Sequence, residues 1–138
     1  MKRSKSILTV TTILLTCLTL WTCEKEDIDI DITSCKWEVI SSKKSGQIFS
    51  DKPKDSYILE FNTDTTFSLS LDVNHCDGHY EIPYKGKIDF TTVACTKICC
   101  DSEFAENLRG FLHNMTDYFV RGDILTLTGD GQIKLERL

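Results

Sequence analysis

From Tyr57 onward apolar side chains fall on every second residue, a period that commits the chain to extended structure with one buried face. Tyr57, Leu59 and Phe61 alternate with Ile58 and Glu60, and Phe67, Leu69, Leu71 and Val73 alternate with Ser68, Ser70 and Asp72. Asn62-Thr63-Asp64-Thr65 separates the two runs with turn-forming side chains, so the pair predicts an antiparallel hairpin. Tyr80, Ile82 and Tyr84 predict a third strand, and residues 87–92 a fourth around Ile88 and Phe90, with Lys85-Gly86 turning between them. An earlier strand is expected at residues 35–40, followed by a polar connection over 41–55 that holds Gly46 and Pro53. Between residues 101 and 115 the period becomes helical. Phe104, Leu108, Phe111, Leu112 and Met115 share one face, with Asp101 or Ser102 as the N-cap. Strand character resumes at 118–120, 124–127 and 133–135, the last two joined through Thr128-Gly129-Asp130-Gly131, whose glycines are expected to take positive φ. Seven or so short strands broken by one helix predict a mainly β protein. The expected form is a small antiparallel barrel or strongly curved sheet, plugged or capped by the inserted α-helix.

The first residues carry a different message. Lys2, Arg3 and Lys5 precede an apolar and threonine run over 7–21, which has the order of a secretory signal and is shorter than the roughly 20 residues a membrane span needs. Leu20-Trp21-Thr22-Cys23 has lipobox spacing, with Cys17 a competing site. Residues 1–22 are therefore expected to be a lipoprotein signal peptide, and Cys23 the acylated, palmitate-bearing start of the mature chain. Two acyl chains hold a protein on a bilayer durably where one does not, so the expected membrane partner is reached through a lipid anchor. Residues 23–34 are acidic and read as a lipidated, solvated tether. Lys25-Glu26-Asp27 resembles a signal that sends lipoproteins to the outer face of the outer membrane, so the expected location is the cell envelope, as a surface-exposed outer-membrane lipoprotein.

Removing residues 1–22, with their three positive charges, shortens the chain from 138 to 116 residues and moves its formal net charge from −5 to −8. That is one domain, of the wrong sign for phosphate backbones, so no nucleic-acid partner is expected. Seven cysteines in a short exported chain point to an oxidising compartment. With Cys17 removed and Cys23 lipidated, Cys35, Cys76, Cys95, Cys99 and Cys100 remain, and an odd number leaves one outside any pair. Sequence alone leaves their connectivity open, a bridge between the adjacent Cys99 and Cys100 included. His75, Cys76 and His79 carry soft ligands and form an alternative zinc or copper set. There is no Cys-x-x-Cys, Gly-x-Ser-x-Gly, phosphate-cradling loop or metalloprotease His-Glu pair, so neither an enzyme nor a cofactor is expected.

Six features in order over 35–138 resemble the META domain, the family that includes the heat-shock lipoprotein HslJ. Trp37 opens the first strand, and an alternating strand pair leads to Cys76-Asp77-Gly78-His79-Tyr80. Thr91-Thr92-Val93-Ala94-Cys95 follows, then a helix with Glu103-Phe104 and Leu108, then Tyr118 with Gly122-Asp123-Ile124-Leu125, and a terminal hairpin. The segment Asn74-His75-Cys76-Asp77-Gly78 departs from the family's Gly-Cys-Asn and longer loop, and Cys35, Cys99 and Cys100 are extra. The resemblance implies a lipocalin-like barrel in an envelope protein, often lipid-anchored and without established catalytic residues, with a non-catalytic binding or structural role that is stress related. It also implies a Cys76–Cys95 bridge, which would leave Cys35 to pair with Cys99 or Cys100.

Overall fold

The computed structural model describes residues 31–48 and 50–138; the expected signal peptide, Cys23 and the start of the tether lie outside them. Among the described residues eight strands and one helix follow a short 3-10 turn at Ile32–Ser34: β1 Lys36–Lys44, β2 Ile58–Phe61, β3 Thr66–Ser70, β4 His75–Glu81, β5 Asp89–Cys95, α1 Glu103–Leu112, β6 Met115–Arg121, β7 Ile124–Gly129 and β8 Gly131–Arg137. All pairings are antiparallel, in a single sheet of order β5-β4-β3-β2-β1-β8-β7-β6. β1 to β5 form a meander, α1 crosses over, and β6 to β8 return as a second meander whose last strand lies beside the first. The sheet curls into a half-barrel whose two ends meet. Ile88 N donates to Thr116 O at 3.1 Å and Tyr118 N to Gly86 O at 2.9 Å, with a Lys87–Asp117 ion pair alongside. Among the described residues no helix is long and apolar enough to cross a membrane.

Alternation builds the core. Trp37 and Val39, Leu59 and Phe61, Phe67 and Leu69, Leu125 and Leu127, and Ile133 and Leu135 all point inward from neighbouring strands. Each such side chain contributes about 1.5–3 kcal/mol of burial. Phe67 and Phe90 pack edge to face at 5.0 Å, and Phe61 packs likewise on Tyr80 at 5.0 Å. α1 adds Ala105, Leu108, Phe111 and Leu112 to the same cluster. Met115, expected on that helix face, is instead the first residue of β6 and still buried.

Four expectations are corrected. The domain takes in residues 31–34 as well as those from Cys35 on, because Ile32 is buried and its carbonyl accepts the Trp37 indole N–H at 2.8 Å; the last residues of the expected tether are part of the domain. β1 runs on to Lys44, into the stretch expected to be a connection. A bulge between Val39 and Ser41 shifts the inward-facing parity there, so the polar Ser42 turns into the protein. The third strand is His75–Glu81, and Ile82 and Tyr84, on which its position was based, lie past its end and are exposed. Gly129 and Gly131 do not take positive φ; that conformation belongs to Gly46, Gly86 and Gly122. Both are glycine for lack of room: an added Cβ would lie 2.0 Å from Asn114 O at Gly129 and 2.4 Å from Lys43 O at Gly131.

Candidate functional site

The bulge in β1, the 51–55 segment and the first turn of α1 together form a cleft of about 350 Å³, within the range of small-molecule sites. Ser42, turned inward by the bulge, lines it beside Asp51, and the two exchange backbone hydrogen bonds at 2.9 and 2.8 Å. Lys52, Lys54 and Asp55 come from the same segment, and Glu103, Phe104 and Asn107 from the helix. Lys44 Nζ donates to Asn107 Oδ1 at 2.8 Å and ties the end of β1 to α1. Acidic, basic, amide and aromatic groups therefore share one concave surface.

Two of its lining residues, Ser102 and Phe104, belong to a hydrogen-bonded staple. Phe104 stacks on Tyr57 with ring centroids 5.3 Å apart. Tyr57 Oη donates to Asp72 Oδ1 at 2.5 Å and lies 3.0 Å from Ser102 Oγ, which accepts from Ala105 N as the helix N-cap. Asp72 Oδ2 accepts from Ser102 N at 2.7 Å, so the carboxylate sits at the positive end of the helix. Burial, followed by the Asp72 hydrogen bond, pushes the Tyr57 phenol from 10.0 up to about 12. Burial also works against the Asp72 carboxylate, but the bonds from Tyr57 and Ser102 outweigh it and hold Asp72 below the usual carboxylate range.

A phenol raised in the folded state contributes stability that is complete below its unfolded value near pH 10 and is lost as pH climbs toward 12. Tyr57→Phe should cost about 1–3 kcal/mol at neutral pH, because it removes the hydrogen bond that Tyr57 gives the charged, part-exposed Asp72 carboxylate. The same variant should lose less further stability than the parent between pH 10 and 12. Urea midpoints across that range read both effects, and parallel curves for the two proteins would refute the alkaline assignment.

The cysteines divide into one pair with Cys76 buried and Cys95 half-buried and one pair that is exposed. Cys76 and Cys95 stand directly opposite on β4 and β5 and are bonded, with S–S 2.01 Å and Cα–Cα 4.0 Å. Cys99 and Cys100 are bonded to each other, and Cys35 is the free cysteine among the described residues, half-buried before β1. The expected pairing of Cys35 with Cys99 or Cys100 is thereby corrected. Trp37, Leu59, Leu69, Cys76 and Cys95 form one row across five strands. Cys35 precedes the β1 end of that row and Cys99 and Cys100 follow its β5 end, so the two lie four strands apart along the sheet.

The His75, Cys76 and His79 ligand set is not brought together. These residues lie on a strand rather than a loop, which sends His75 and His79 outward and Cys76 inward to its bond with Cys95. Four residues along a strand also separate the histidines by about 13 Å. His75 instead pairs with Asp77 on the same exposed face at 3.1 Å. The residues sequence reasoning missed are Ser42 and Asn74. Asn74 is buried and makes every bond its amide can make, donating to Ile98 O and Asp101 Oδ2 and accepting from Thr96 Oγ1 and Ile98 N.

A single antiparallel sheet curled around one crossover helix, with a cleft at the helix start, defines a small half-barrel domain of the mainly β class. The META domain family model matches residues 31–138, and the chain belongs to that family. Among solved structures, the NMR structure of a protein from Burkholderia xenovorans superposes with a TM-score of 0.61 at 17% identity, covering 78% of this chain and 83% of that one. A crystal structure of a DUF4847 family protein from Bacteroides vulgatus gives 0.57 at 13% identity, covering 76% and 93%. These similarities establish the fold. No curated protein matches significantly.

Proposed function

We propose that this META-domain protein is an acylated lipoprotein of the bacterial outer membrane, exposed at the cell surface, where it serves as a non-catalytic binding or structural module under envelope stress. The observation that carries the reading is Leu20-Trp21-Thr22-Cys23 placed directly after a basic and then apolar leader. Asp31, the first described residue, is eight residues past Cys23, so an anchored domain would stand within about 27 Å of the lipid. A non-catalytic role is supported by the chemistry of the staple that Ser102 and Phe104 join at the side of the cleft. Tyr57 and Asp72 are bonded to each other and to the helix cap, and their proton affinities move away from neutrality, opposite to what general acid–base work requires.

Metabolic labelling with radioactive palmitate in the native host tests the anchor. The parent should take up label and fractionate with membranes. Cys23→Ala should take up none and leave the membrane fraction, whereas label retained in that variant would place the modification elsewhere, Cys17 included.

A further inference from the structure

We propose that the Cys99–Cys100 disulfide is a thiol–disulfide exchange site, open to a dithiol oxidoreductase while the Cys76–Cys95 bond stays closed. Cys99 and Cys100 are both exposed, whereas Cys76 is fully buried in the core and Cys95 half-buried against it. The residues around the pair are pinned. Ile98 is held through both backbone polar groups by Asn74, and Asp101 accepts from Val73 N at 3.1 Å and Asn74 Nδ2 at 2.7 Å. The pair thus projects from a fixed frame, with exposed Val73 and Ile98 beside it as apolar surface for a partner.

Joining adjacent residues closes almost no loop, so this bond adds little of the chain-entropy stabilisation that disulfides normally supply. Exposed disulfides without a structural task are the labile, regulatory kind. In the exchange, a thiolate of the partner attacks one sulfur of the pair; a mixed disulfide forms and the Cys99–Cys100 bond breaks. The partner's second thiol then displaces the first cysteine. Cys99 and Cys100 leave as two thiols, and the partner, having given up two electrons and two protons, leaves as a disulfide. The inference goes beyond the anchoring proposal and does not depend on it.

The test is graded reduction of the purified native protein with dithiothreitol, alkylation, and peptide mass spectrometry. Half-labelling of Cys99 and Cys100 should require at least about tenfold less reductant than that of Cys76 and Cys95. As a second measurement, thioredoxin lacking its resolving cysteine should form a covalent adduct with the parent and none with a Cys99→Ser/Cys100→Ser variant. Simultaneous reduction of the two pairs, free Cys99 and Cys100 thiols before any reductant, or absence of the adduct would each overturn the proposal.

Discussion

Replacing Gly78 with alanine should cost roughly 3 kcal/mol or more, a large share of the roughly 5–15 kcal/mol that holds a domain folded. Gly78 sits in β4 between Phe67 on β3 and Val93 on β5. The register slips just beyond it, between His79 and Tyr80, and this brings a carbonyl across its face. An added Cβ would lie 1.8 Å from Thr92 O and 2.8 Å from Phe67 Cε1. The first obstacle is backbone held in a ladder, so relief requires β4 and β5 to part beside the disulfide that joins them. Gly110 is the natural control, since an added Cβ there meets nothing within 4 Å inside α1. Gly110→Ala should stabilise by about 0.5–1 kcal/mol, through a smaller loss of backbone freedom on folding. Urea unfolding of both variants gives the comparison, and a Gly78→Ala protein as stable as the parent would show that the β4–β5 approach is looser than described.

The second large effect is expected from the Cys76→Ala/Cys95→Ala double variant. The bond closes a separation of 19 residues, worth about 3 kcal/mol in the chain-entropy model, or roughly 12–24 °C in Tm for a domain near 100 residues. Removing both sulfurs avoids leaving a lone thiol in the core. Reductant supplies the complementary measurement. It should lower the parent's Tm toward that of the double variant yet barely move the double variant, because opening Cys99–Cys100 releases no loop. A large drop in the double variant on reduction would assign the structural role to the vicinal pair instead.

Legibility in the sequence followed the hydrophobic signal. The hairpin of β2 and β3 was plain because Leu59, Phe61, Phe67 and Leu69 are large and regularly spaced. β4 was misplaced because its inward positions are Cys76, Gly78 and Tyr80, two of them with little apolar weight, while Ile82 and Tyr84 beyond its end mimic a strand. The helix was clear from its period, with Ser102 the better of its two expected caps. The cleft was illegible. Ser42 reads as a loop residue until a bulge turns it inward, and a bulge is a relation between two strands rather than a property of one.

Local order was therefore within the reach of the sequence by itself: the mainly β class, the single helix, most of the core and the family resemblance follow from periodicity, caps and motif order along the chain. The direct opposition of Cys76 and Cys95 across β4 and β5, a pairing the family resemblance already implied, the outward turn of His75 and His79 and the wall of the cleft were decided only in the tertiary structure. Each depends on which strands come into register, and register is set by the collective burial of one face of the sheet across distant segments, which no local window contains.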